Sequence, residues 1–141
     1  MELIGGRRLD GIAVDCGDAP DMVPVLSVLL ALARGQSRIY NAAQLRYKEC
    51  NRLAAMCQLN KMGARVTETA DGLEFEGVDQ LHGAVIDSFK DHRVQMSFAV
   101  AGCLAEGTTY VSDAEAGGVS YPGFIRDAQN LGASIQVVER V

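Results

Sequence analysis

The sequence predicts an α+β fold assembled from α/β-type repeats, with two units of the order β-α-β-α-β-β. An internal repeat is the first observation: "LARGQSRIYN" at 32–41 parallels "LAEGTTYVSD" at 104–113, and "LNKMGARVTE" at 59–68 parallels "AQNLGASIQV" at 128–137. The second observation is a shared order of apolar helix, glycine, short strand, second helix, Gly-Ala and strand. Self-similarity at a nearly fixed spacing is typical of folds built from one repeated supersecondary unit.

The first helix of each unit is apolar on almost every side. The two segments are "MVPVLSVLLALA" at 22–33 and "VQMSFAVAGCLA" at 94–105. Because such a helix needs cover all round, and two units cannot easily enclose both helices, we expect missing cover from more chain or from another copy of this chain. The second helices, expected at 49–62 and 121–131, mix polar and apolar faces and should lie outside.

Glycines and β-rich runs mark the ends of the helices and the strands that follow. A left-handed backbone conformation suits glycine at the carboxyl end of a helix. Four glycines stand at such places, namely Gly35, Gly63, Gly107 and Gly132. Runs rich in β-branched and aromatic residues predict strands, at 37–40, 64–68, 108–111 and 134–138.

The strands and helices divide the chain into two units. Residues 66–77 are expected to form a hairpin that turns at Asp71-Gly72. The first unit is therefore assigned to residues 1–80. The second, at 81–141, begins in the same way, and we expect it to end after its fifth element, without its last strand.

Composition excludes several classes of function. The net charge is −5, whereas a nucleic-acid surface requires an excess of Lys and Arg. The longest apolar run has about twelve residues, too few to span a bilayer. Four cysteines form no CxxC pair and only two histidines accompany them, which does not fit a zinc site. We expect free thiols, no metal and a cytoplasmic location.

Six charged or titratable side chains stand at the amino-terminal ends of three helices. They are Asp21, Lys48, Glu49, Arg52, His92 and Arg93. Helix amino termini attract anions, and equivalent helix ends lie on one side of a pseudo-symmetric fold, so we expect the six to converge. Arginine presents a planar fork to carboxylate and phosphate, and a positioned Glu can donate a proton. The set therefore predicts a pocket for an anionic substrate with an acid/base pair.

Each of these residues also has a simpler interpretation. An aspartate before a helix most often caps it, which applies to Asp21. Lys48 and Glu49 alone would be a solvated pair, and Glu49 with Arg52 would be an i,i+3 ion pair worth about 0.2–0.5 kcal/mol. A lone histidine such as His92 is more often a hydrogen-bonded, partly buried residue than a catalyst.

Four motifs resemble the 5-enolpyruvylshikimate-3-phosphate synthase family. They are "GDAPDMVPVLSVL", "YNAAQLRYKECNRLAAM", "DHRVQMSFAVAG" and "SYPGFIRD", in the family's order and spacing. The resemblance implies the enolpyruvyl transferase fold, with three repeated units to a domain and apolar inner helices covered by short-stranded sheets. It also implies a two-domain enzyme that moves the enolpyruvyl group of phosphoenolpyruvate to the 5-hydroxyl of shikimate 3-phosphate and releases phosphate, with no cofactor and no metal.

The resemblance also implies roles for the six residues. Asp21 would accept the hydroxyl proton, Lys48 would contact both substrates, and Glu49 would protonate the methylene carbon of phosphoenolpyruvate. Binding of its carboxylate and phosphate would fall to Arg52 and Arg93, with His92 beside them.

Three positions depart from the family's usual pattern. Cys50 and Asn51 stand where the family has Ser or Thr followed by Asp, and Val119 stands where many members have Lys. The chain also corresponds to only the last third of the usual protein, so we expect no turnover by it alone. Its predicted partner is the missing amino-terminal part of the same enzyme, and the isolated chain should self-associate. The alternative is a degenerate, non-catalytic relative that binds phosphorylated anions or a protein partner.

Overall fold

The first unit forms a four-stranded sheet with two helices. A computed structural model of the chain describes residues 8–139. The elements are β1 Ala13–Asp15, α1 Val23–Leu32, β2 Gln36–Tyr40, α2 Arg52–Met56, β3 Arg65–Glu68 and β4 Leu73–Glu76. The strand order is β1-β2-β4-β3, with β1 parallel to β2 and β4 antiparallel to both of its neighbours. The β3–β4 pair is the predicted hairpin around Asp71-Gly72.

The second unit repeats the beginning of the first. Its elements are β5 Val85–Ile86, α3 His92–Leu104, β6 Tyr110–Val111 and α4 Phe124–Asn130. β5 and β6 pair in parallel, as β1 and β2 do. An isolated parallel β-bridge pairs the backbones of Asp10 and Arg34 in the first unit, and its counterpart in the second unit pairs those of His82 and Glu106. The predicted α+β repeat is confirmed.

Left-handed glycines end the helical segments as expected. The four glycines have φ between 85° and 95°, namely Gly35, Gly63, Gly107 and Gly132. A Cβ would be strained in this backbone conformation. These turns return the chain from each helix to the next strand.

Three sequence predictions about elements were wrong in their bounds or existence. The helix expected at 49–62 is the short α2 followed by a 3₁₀ segment at Cys57–Met62, and that expected at 121–131 is the shorter α4. Residues 134–138 form no strand. By the repeat, 134–137 correspond to β3, which is held in the first unit by β4. Within residues 8–139 the second unit has no counterpart of β4, so this segment lacks the neighbour that would pair with it.

The core lies between the two apolar helices and the larger sheet. α1 and α3 pack against each other, and their inward faces meet buried side chains such as Leu53, Met56 and Phe98. α2 contributes to this core with four of its five residues buried, contrary to the expectation that it would lie outside. One face of α1 stays uncovered, because Val25 and Leu29 are 44% and 46% exposed.

No helix within residues 8–139 combines the length and the apolar character needed to cross a membrane.

A charged site at the helix amino termini

The site is organised around the start of α2. Lys48 has an extended backbone, and Asn51 then caps the helix because its side-chain oxygen accepts a hydrogen bond from the Ala54 N–H at 3.2 Å. The cap fixes Arg52 as the first helical residue. Its side chain therefore turns inward from the helix start, and it is only 1% exposed.

The Arg52 guanidinium binds three carboxylates at once. Its Nε donates to Asp91 at 2.8 Å, its Nη1 to Asp21 at 2.9 Å and its Nη2 to Glu49 at 2.7 Å. Burial alone would lower the pKa of Arg52, but the hydrogen bond and charge of Asp91 outweigh it and raise that pKa. Arg52 is therefore a fixed cation that carries three anions in defined positions.

Asp91 is the buried member of this set and was not among the predicted site residues. Its carboxylate caps α3 by accepting from the backbone N–H groups of Arg93 and Val94, at 2.9 and 3.2 Å, while it binds Arg52. Burial alone would raise its pKa, yet the Arg52 hydrogen bond and these N–H groups hold the pKa of Asp91 below its usual range. The aspartate of the "DHR" motif was the available signal, because an Asp before an apolar helix predicts a cap.

Asp21 joins two arginines and caps no helix, contrary to the simpler interpretation. It lies in the 3₁₀ turn Pro20–Met22 before α1, where no side-chain cap is formed. One carboxylate oxygen accepts from Arg52, and the other lies 3.0 Å from Nη2 of Arg93. Asp21 is half exposed, so this bridge faces the outside of the cluster.

Glu49 and His92 lie together on the outer side of Arg52. The Nδ1 atom of His92 is 3.8 Å from a carboxylate oxygen of Glu49, whose other oxygen binds Arg52. Lys48 is exposed, and its side chain makes no hydrogen bond or ion pair within residues 8–139. The chain thus brings five of the six predicted residues into one contact network and leaves Lys48 outside it.

Cys50 completes the inner side of the network. Its Sγ lies 3.6 Å from Asp91, close enough for a weak S–H donor. Burial, followed by the charge of Asp91, raises the pKa of the Cys50 thiol to about 12. The thiol therefore stays protonated and serves as a neutral donor to the carboxylate.

Three carboxylates and two arginines give this cluster one negative charge in excess, without counting His92. Across residues 8–139, no group of three or more His, Cys, Asp or Glu side chains could hold a metal ion. The cluster provides carboxylates that guanidinium groups hold in fixed positions.

Comparison of the fold with solved structures defines the class of protein. A solved structure of EPSP synthase from Acinetobacter baumannii matches with a TM-score of 0.87 at 34% sequence identity. The match covers 94% of this chain and 32% of that one. The chain has the enolpyruvyl transferase fold.

The family follows from the sequence comparisons. The family model for EPSP synthase (3-phosphoshikimate 1-carboxyvinyltransferase) matches residues 2–128. The chain is 48% identical over 135 residues to the 3-phosphoshikimate 1-carboxyvinyltransferase of Methanocella arvoryzae and 45% identical over 134 residues to that of Methanocaldococcus jannaschii. These matches cover 95% and 94% of this chain, but only 32% and 31% of the two relatives. The chain belongs to the EPSP synthase family and spans about a third of the length of its curated relatives.

Proposed function

We propose that residues 1–141 are part of an enzyme that transfers the enolpyruvyl group of phosphoenolpyruvate to the 5-hydroxyl of shikimate 3-phosphate and releases phosphate. The observation that carries the proposal is the Arg52 cluster, which places two half-exposed carboxylates, Asp21 and Glu49, on one buried cation. Two carboxylates held apart by a fixed guanidinium suit a reaction in which one accepts a proton and the other donates one.

The proposed roles follow the positions in the cluster. Asp21 accepts the proton of the attacking hydroxyl, and Glu49 protonates the methylene carbon and later removes that proton, with His92 beside it. Arg93, together with Arg52, faces the anionic groups of phosphoenolpyruvate. Lys48, exposed at the rim, contacts both substrates when the facing domain closes.

The reaction proceeds by addition and elimination through a tetrahedral adduct. Charge develops on the carbon skeleton and on the departing phosphate, and preorganised cations stabilise it. Removing one such group from an active site commonly costs about 10²–10³ in rate.

The rest of the active site is proposed to come from chain outside these residues. The groove beside β6 has a volume of about 810 Å³ and is lined by β6, α3 and the unpaired segment at 133–138. By the repeat, this is the place that β4 fills in the first unit. We propose that residues 1–80 and 81–141 are two units of a domain that a further unit, and a strand in this groove, complete. A half-cleft cannot exclude water, so the chain alone should not turn over.

A cytoplasmic location is part of the proposal. The four cysteines are free thiols, and Cys16 and Cys50 are not exposed. Unpaired thiols suit a reducing compartment.

The decisive test is phosphate release in the full-length enzyme that carries these residues. With phosphoenolpyruvate and shikimate 3-phosphate, the wild type should release phosphate, and Glu49→Gln should lower kcat by about 10²–10³. The matched control is Glu74→Gln on the exposed side of β4, which should keep the wild-type rate. No phosphate release by a wild type that binds phosphoenolpyruvate would refute the proposal.

The second candidate, a non-catalytic relative that binds phosphorylated anions or a protein partner, is favoured by Cys50, Asn51 and Val119. Asn51, however, caps α2 as an aspartate there would, and Cys50 fits against Asp91. Both departures are therefore compatible with an intact cluster. Substitution of Asn51→Asp discriminates between the candidates, because a large gain in phosphate release would mean that Asn51 had suppressed catalysis.

A further inference from the structure

Asp21 occupies the position between two arginines that an anionic ligand would need. Its two carboxylate oxygens lie 2.9 Å from Nη1 of Arg52 and 3.0 Å from Nη2 of Arg93. Guanidinium groups recognise carboxylate and phosphate ligands through charge-assisted hydrogen bonds of about this geometry. In this structure the chain satisfies that geometry with its own side chain.

The charge balance prevents simple addition of a ligand to the occupied site. With Asp21 in place, three carboxylates face two arginines, so a further anion would enter a cluster that is already negative. Arg52 is almost fully buried and each of its nitrogens already donates to a carboxylate. A substrate anion can reach Arg52 only if one of these carboxylates leaves.

Asp21 pairs with both arginines, so its departure would free both guanidinium groups, whereas the equally exposed Glu49 pairs with Arg52 and not with Arg93. Asp91 is fully buried and caps α3, whereas Asp21 is half exposed and makes no cap. If Asp21 leaves, Asp91 and Glu49 still hold Arg52, so the guanidinium keeps its position. Arg93 also donates to the Asp21 backbone carbonyl at 3.4 Å, which keeps it beside the turn.

We propose that Asp21 is an internal ligand that closes the Arg52–Arg93 anion site at rest, and that phosphoenolpyruvate displaces it on binding. The displaced carboxylate is thereby released to act on the second substrate. This inference rests on the proposed function for the identity of the anion. An internal contact formed about nine-tenths of the time lowers the apparent affinity of the ligand about tenfold.

The experiment measures binding of phosphoenolpyruvate by isothermal titration calorimetry, without the second substrate, to the full-length enzyme that carries these residues. Asp21→Asn removes the charge that bridges the arginines. Asp18→Asn removes an equal charge three residues earlier, at an exposed side chain that makes no hydrogen bond or ion pair within residues 8–139. Asp21→Asn should bind about tenfold more tightly, and Asp18→Asn should bind as the wild type does. Inorganic phosphate should likewise bind more tightly to Asp21→Asn than to the wild type or to Asp18→Asn.

Unchanged or weaker binding by Asp21→Asn would overturn the proposal, and so would equal tightening by Asp18→Asn. If Asp21→Asn does not show the unfolding transition of the wild type, Asp21→Ser replaces it in the same binding measurement, and the same tighter binding is expected. Phosphate release separates the two proposals, because tighter binding without turnover in the wild type would retain the internal ligand and reject the transferase. Turnover in the wild type without tighter binding by Asp21→Asn would do the reverse.

Discussion

The carboxylate of Asp91 accepts a hydrogen bond from Nε of Arg52 at 2.8 Å, and both side chains are buried. This pair ties the start of α2 to the start of α3, since Asp91 also caps α3. The position of Arg52 in the charged site is therefore set by a carboxylate that is shielded from solvent.

The first prediction is that Asp91→Asn lowers the free energy of unfolding by about 3 kcal/mol, because the buried Arg52 cation loses the one of its three anionic partners that is fully buried. Urea unfolding followed by circular dichroism, at one protein concentration, measures the change. The control is Glu76→Gln, which breaks the exposed pair with Arg65 and should cost less than about 1 kcal/mol. Equal costs for the two variants would contradict a structural role for the buried pair.

Acid should weaken the fold through the same carboxylate. Because the pKa of Asp91 in the folded chain lies below its ordinary value, its contribution to stability is complete above the pKa of the unfolded chain and is lost as the pH falls through the lower folded pKa. The urea midpoint of the wild type should therefore fall as the pH is lowered below about 5. Asp91→Asn should show a smaller drop, and a drop equal to that of the wild type would assign the acid sensitivity to other carboxylates.

The sequence predicted the repeat, the apolar helices and the convergence of charge, because these follow from periodicity and from glycine positions. It did not predict that Asp91 would be buried and would anchor Arg52. An Asp before a helix gives the same sequence pattern whether its side chain is exposed or buried. Nor did it predict the loss of the strand at 134–138. That segment contains strand-forming residues, but a strand also needs a neighbouring strand to pair with. The sequence of the segment itself does not indicate whether such a neighbour is present.

Cys50 should be the slower of two cysteines to react with iodoacetamide. Burial and the adjacent Asp91 raise its pKa to about 12, and the thiolate is the reactive form, whereas Cys103 is exposed on α3. Peptide mass spectrometry over a time course should find Cys103 modified first. Asp91→Asn should speed the modification of Cys50, and labelling of Cys50 at the rate of Cys103 in the wild type would refute this account.

Self-association of the isolated chain is the last prediction. Met22, Val25 and Leu29 are between 44% and 50% exposed and stand at i, i+3 and i+7, on one face of a helical segment. In the absence of the proposed covering unit, burial of this face against a second copy would remove apolar surface from water, at about 25 cal/mol per Å².

Light scattering of the 141-residue chain should show a molar mass that rises above that of the monomer as the protein concentration increases. Leu29→Lys should shift the chain toward the monomer, because a charge would then be buried in the contact. Val119→Lys is the control, since Val119 is 82% exposed and belongs to the 3₁₀ turn Ala116–Val119 rather than to α1. A monomeric wild type at high concentration, or an equal effect of the two substitutions, would mean that this face of α1 is not the contact between copies.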